Sequence, residues 1–131
     1  MRYLLDTNVV IALLNDASSR IAQNVRLRVP AEIGISSIVI HELFYGAFQS
    51  RLAKDNVALI EELQFEVLDF DKADAYQAGE IRAILASLGS PIGPYDVLIA
   101  GQAKSRDITL ITSNVREFER VKGLRVENWG S

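Results

Sequence analysis

The sequence has no cysteine, and only one histidine, one tryptophan, one methionine and three prolines in 131 residues. Without cysteine there can be no disulfide, thiolate nucleophile, Cys-ligated zinc or iron–sulfur cluster. Long apolar runs are missing too. Stretches such as Val9 to Leu14 and Ile38 to Ile40 fall far short of the roughly 20 residues that cross a bilayer. The opening Met1-Arg2-Tyr3-Leu4-Leu5-Asp6 interrupts its three apolar residues with charge, so no export signal is read there. A soluble, cytoplasmic protein with no membrane association is expected. Neither a Walker glycine loop nor a dinucleotide fingerprint occurs, which argues against a mononucleotide-gripping site.

What is present is an ordinary globular balance. Hydrophobic residues make up 49% and charged residues 24%, enough for one domain over 1–131 to fold without a metal or a bridge. The net charge of −3 opposes nucleic-acid binding, for which a basic chain is the usual expectation. The local pattern differs from the total. Between Lys104 and Arg125 lie six basic residues (Lys104, Arg106, Arg116, Arg120, Lys122, Arg125) against three acids (Asp107, Glu117, Glu119). Such a run reads either as a solvated helical surface or as a basic face permissive for RNA.

Apolar runs and breakers alternate along the chain. Tyr3-Leu4-Leu5 predicts a strand that ends at the cap-forming Asp6-Thr7-Asn8, followed by a helix to about Asn15. A second helix is expected from Ser19 to about Val29, closed by Pro30. Ile33-Gly34-Ile35 reads as the next strand, and Ser36 or Ser37 caps a helix whose apolar face is Val39, Ile40, Leu43, Phe44 and Ala47. Lys54 to Gln64 predicts a helix and Glu66 to Leu68 a strand. Asp71 caps a further helix that stops at Gly89. Pro94 suits the first turn of a helix reaching about Arg106. Thr109 to Thr112 reads as a strand, Val115 to Arg120 as a short helix, and Leu124 to Glu127 as a last strand. This order predicts an α/β fold with a central, mostly parallel sheet of about five strands and helices on both faces. Ligands of such sheets bind beyond the carboxyl ends of the strands, where Asp6, Ser36 and Ser113-Asn114 fall.

Three acids stand out. Asp6 follows the first strand, though a lone Asp there also serves as a helix cap. Glu42 lies two turns into an otherwise apolar helix, where a solvent-facing glutamate is the plainer reading. Asp96 sits in a first helical turn, where the helix dipole favours an anion in any case. Brought to one end of a sheet, they would repel one another and raise one another's pKa unless a cation or a shared proton intervened. With no cysteine and only His41 as an imidazole, the ligands would be oxygens, which points to magnesium or manganese over zinc. His41 adjoins Glu42 in sequence but projects about 100° away from it on a helix, so it reads as a surface or packed residue. A carboxylate-held magnesium most often serves attack of water on phosphorus.

The motifs resemble those of PIN-domain nucleases, specifically the VapC toxins of bacterial toxin–antitoxin pairs. Leu4-Leu5-Asp6-Thr7-Asn8-Val9-Val10-Ile11 is similar to their first motif. Ser36-Ser37-Ile38-Val39-Ile40-His41-Glu42-Leu43-Phe44-Tyr45-Gly46-Ala47 resembles the second, Ile92-Gly93-Pro94-Tyr95-Asp96-Val97-Leu98-Ile99-Ala100 the third, and Thr112-Ser113-Asn114-Val115-Arg116-Glu117-Phe118 the fourth. Leu124-Arg125-Val126-Glu127-Asn128-Trp129 looks like the usual ending.

The resemblance implies a PIN-like fold and a magnesium-dependent endoribonuclease, with manganese as substitute, that arrests translation by cutting structured RNA such as tRNA or an rRNA loop. It also implies a homodimer and a cognate VapB-type antitoxin. Asp6, Glu42 and Asp96 carry over as metal ligands. Many relatives have an aspartate at or near Asn114, so the fourth ligand stays open between Asn114, Glu117 and Glu119. One tightly held metal is expected, and Ser113 and Thr7 are expected to hydrogen-bond the acids.

Two other enzyme classes fit less well. Haloacid-dehalogenase phosphatases look like Asp-x-Asp where this chain has Asp6-Thr7-Asn8. Phosphoryl-accepting receiver domains want a lysine after a late strand, and Thr112-Ser113-Asn114 offers none. A PIN domain that binds RNA or a partner without cutting remains the alternative.

Overall fold

A computed structural model describes residues 1–130. Strand β1 (Tyr3–Leu5) leads into helices α1 (Thr7–Asn15) and α2 (Arg20–Arg26) and a 3-10 turn (Pro30–Glu32). Strand β2 (Ile33–Ser36) is followed by α3 (Ser37–Gln49) and α4 (Ala53–Glu61), and β3 (Glu66–Leu68) by α5 (Lys72–Ser87) and α6 (Pro94–Ser105). The chain then forms β4 (Thr109–Ile111), α7 (Val115–Phe118) and β5 (Val126–Glu127). The strand order is β3-β2-β1-β4-β5, and all four pairings are parallel. The expected five strands are present, and the sheet is wholly parallel where only a mostly parallel one was predicted.

The topology follows from the local chemistry. Parallel neighbours need helical crossovers, and each crossover here is a helix or a helix pair. The central strands are covered on both faces, and Leu4, Leu5, Ile33, Ile35, Leu110 and Ile111 are almost wholly buried, the continuous apolar run expected of an interior parallel strand. The chain steps outward from β1 to β3 on one side, then returns to β4 on the other. Strand order therefore reverses beside β1, and the carboxyl ends of β1, β2 and β4 share one rim.

Punctuation falls close to prediction. Asp71 caps α5 in a reciprocal box with Asp74, satisfying donors at both ends of the first turn. Gly89 ends the same helix with φ +66°, a conformation that costs glycine little. Helix α2 stops at Arg26, three residues earlier than predicted, because Pro30 pushes Val29 into extended backbone (ψ 130°). Helix α7 and strand β5 are likewise shorter than expected. The helices on the return crossover pack closely: a Cβ on Gly101 would lie 2.6 Å from the backbone of Ala78, so α6 meets α5 at a distance only glycine allows.

One buried polar network went unread in the sequence. The fully buried Asp74 carboxylate accepts from Gln102 Nε2 at 3.1 Å and from Arg106 at 3.1 and 3.4 Å. Burial pushes its pKa up, but the Arg106 guanidinium and the capping N–H of Asp71 outweigh that, leaving it below the usual carboxylate range. Gln102 also donates to the carbonyls of Leu68 and Asp69, so the network ties the end of β3 to α5 and α6. At the other end of the sheet, Trp129 packs edge-on against Tyr3 with ring centroids 4.9 Å apart, and Arg28 lies over the indole. Among the described residues, no helix is long and apolar enough to cross a membrane.

Candidate active site

Asp6 stands at the carboxyl end of the central strand, 4% exposed. One carboxylate oxygen accepts the Thr7 N–H at 2.8 Å, capping α1. The other accepts the buried Thr112 hydroxyl at 2.8 Å and the Asn8 amide at 3.4 Å. Burial raises its pKa, the hydrogen bonds from Thr112 and Thr7 work against that, and the charge of Glu117 adds to the rise. Capping and siting at the rim are thus both true of Asp6. A cap needs only one of its two oxygens.

Glu42 is half-buried on α3 and accepts the Thr7 hydroxyl at 2.9 Å. Thr7 therefore gives its N–H to one acid and its O–H to another, which holds α1 against α3 at the rim. Asp96, in the first turn of α6, is the most perturbed of the acids. Its pKa is pushed up to about 7, first by burial, then by the charge of Glu117 and a hydrogen bond shared with it, then by the charges of Asp6 and Glu42. A Cβ on Gly93 would lie 2.7 Å from Asp96 Oδ2, so the residue that starts α6 has to be small for this carboxyl to fold back over the helix end.

Glu117, one of three candidates for the fourth ligand, stands with the other acids, its charge and a hydrogen bond acting on Asp96. One of its oxygens accepts the Gly93 N–H at 3.1 Å and the other the Asn114 side-chain amide at 2.6 Å. Asn114 thus turns its amide toward Glu117, and its backbone N–H donates to the Thr112 hydroxyl. The donor expected from Ser113 comes instead from Thr112. The Ser113 N–H bonds Asn8, because Thr112 is the residue whose side chain points inward at the strand end. A hydroxyl one residue beyond the strand was the available signal, read one position too late.

The four acids are joined by charge. Every carboxylate has a local donor or a shared proton, and among the described residues no three Asp, Glu or His side chains stand at ligating distance from one point. An all-oxygen donor set with this mutual repulsion suits a hard divalent cation. His41 lies outside the set, its ring 5.6 Å from that of Tyr95. The basic excess seen in the sequence is partly consumed within the fold. Arg106 pairs with Asp71 and Asp74, Arg125 pairs with Asp107, and Arg120 donates to the Pro91 carbonyl.

Comparison with known proteins agrees with this geometry. The family profile described as PIN domain matches residues 3–124. Two relatives named tRNA(fMet)-specific endonuclease VapC, from Shigella flexneri and Salmonella typhimurium, are each 42% identical, the match covering 98% of this chain and 98% of theirs. The DNA-bound VapBC structure from Salmonella typhimurium superposes with a TM-score of 0.93 at 42% identity, covering 98% of both chains. VapBC2 from Rickettsia felis, bound to a DNA fragment from its promoter, gives 0.91 at 34% identity over 98% of this chain and 99% of that one. With its acids gathered at one rim of a parallel sheet and likeness along nearly its whole length, the chain belongs to the PIN-domain nuclease family, among the VapC-type toxins.

Proposed function

We propose that this protein is the toxin of a type II toxin–antitoxin pair, a magnesium-dependent endoribonuclease that cuts structured RNA in the cytoplasm and so stops translation. The observation that carries the reading is the convergence at one rim of Asp6, Glu42, Asp96 and Glu117, where burial and then the charges of the other three push Asp96 up to about 7. Asp6, Glu42 and Asp96 would hold the ion, with Glu117 as the fourth acid and Asn114 steadying it. Manganese, which also takes octahedral oxygen ligands, should substitute. When bound, the ion supplies a water of lowered pKa and neutralises charge on the phosphodiester.

The chain's own residues set the rest. Thr112 and the Thr7 N–H aim Asp6, and the Thr7 hydroxyl aims Glu42. Asp96 keeps a proton near neutral pH and must release it to ligate, so cation and proton compete at this carboxyl.

The relatives named tRNA(fMet)-specific endonuclease make that tRNA the first substrate to try, with an rRNA loop next. The proposal includes a VapB-type antitoxin, in keeping with the VapBC complexes that the chain resembles, and a homodimer. An open groove between α1, α3 and α4, lined by Ile11, Leu14, Leu43, Ala47 and Leu59, runs up to Glu42. An antitoxin segment lying there would end at the acids.

Incubation of the purified protein with tRNA(fMet) and magnesium tests the proposal, with chelator as control. Discrete fragments that need the metal and vanish in Asp6→Asn are expected. RNA binding without cleavage, across several RNAs and metals, would move the assignment to a binding module.

A further inference from the structure

His41 and Tyr95 each stand one residue ahead of an acid, Glu42 and Asp96, on two helices that pack together at the rim. Successive helical residues project about 100° apart, so with Glu42 and Asp96 turned to the acids, the two rings fall on the surface beside them. There they meet, centroids 5.6 Å apart and planes tilted by 50°. This is not a core pair: His41 is exposed, and Tyr95 keeps 45% of its surface in solvent.

An RNA strand approaching this rim meets four carboxyls on a chain of net charge −3. Apart from the phosphate that a bound ion would hold, phosphate contacts, the usual source of affinity, are therefore poor at this point. Contacts next to the scissile bond have to come from groups that ignore phosphate charge. An exposed aromatic face does so for unstacked bases, and it tolerates any sequence because every base has a π-face. We propose that Tyr95, braced by His41, is a nucleobase subsite on which an unpaired base flanking the scissile phosphate stacks. The subsite rests on the endoribonuclease reading. Paired bases hide their faces within the helix, so the subsite favours loops over duplex.

The test is Tyr95→Ala, assayed on tRNA(fMet) with magnesium. Magnesium binding is measured by calorimetry and assembly by sedimentation. KM should rise about five- to 150-fold, the range that loss of one stacked base spans, with magnesium affinity and sedimentation unchanged. Tyr95→Phe, which keeps the ring, should recover most of the KM. A short single-stranded RNA carrying 2-aminopurine should be quenched on binding the wild type and not on binding Tyr95→Ala. An unchanged KM in Tyr95→Ala overturns the subsite, as does a raised KM with altered sedimentation, which would make the ring a contact between copies. Absence of cleavage by the wild type would instead overturn the nuclease reading, and the quench, which needs no cleavage, would still decide the subsite.

Discussion

Replacing Asp96 by asparagine should stabilise the metal-free protein, and the gain should depend on pH in a defined way. The carboxyl has a folded pKa of about 7 against an ordinary value of 3.8. Between those two values the unfolded chain has lost the proton that the folded chain still holds, so stability falls as pH rises from about 4 to about 7 and then levels off. The full gap corresponds to about 4 kcal/mol. Partial solvent contact and side-chain relaxation should halve it, to about 2 kcal/mol. Asparagine has nearly the same shape and no charge, so it removes this penalty. Urea unfolding in chelator should show Asp96→Asn equal to wild type near pH 4 and more stable by about 2 kcal/mol at pH 8. Saturating magnesium should reverse the order, since the variant offers the cation one charged ligand fewer and binds it more weakly. A loss of stability at pH 8, or a gain that does not grow between pH 4 and pH 8, would show that Asp96 is held by its surroundings as a structural group.

Two predictions concern the scaffold. Arg106→Ala strands the buried Asp74 carboxylate and should cost about 2–4 kcal/mol at pH 7 by urea unfolding. Because the folded pKa of Asp74 lies below its usual range, the stability at stake is present above that range and lost below it, so the cost should shrink in acid. Gly101→Ala drives a methyl into the Ala78 backbone and should cost about 1–3 kcal/mol in a thermal melt. A neutral result would mean that α5 and α6 separate without penalty.

The fold was legible because its signals are local. Caps at Asp6, Ser19, Ser36 and Asp71, the stop at Gly89 and the first-turn Pro94 mark helix ends within a few residues of where they fall. Asp6, Glu42 and Asp96 were readable as a set because alternating strands and helices deliver strand ends and neighbouring helix starts to one rim. Glu117 was ambiguous for a physical reason. Nothing within its four-residue helix shows that its side chain reaches back to the Gly93 N–H, a contact across 24 positions. The Asp74–Gln102–Arg106 network and the His41–Tyr95 pair were invisible on the same ground, as each joins residues that only the crossover geometry brings together. The basic run overstated the surface charge, because two of its arginines face acids of the same molecule.

The order of the strands bears on when the acids can come together. The central strand precedes the other four in the chain, yet one of its edges has no neighbour until residues 109–111 are made, and Asp6 lacks its hydroxyl donor until residue 112. Glu117 follows later still. A growing chain therefore has Asp6 and Glu42 long before the framework that gathers them, and the four acids can meet only once residue 117 has been added.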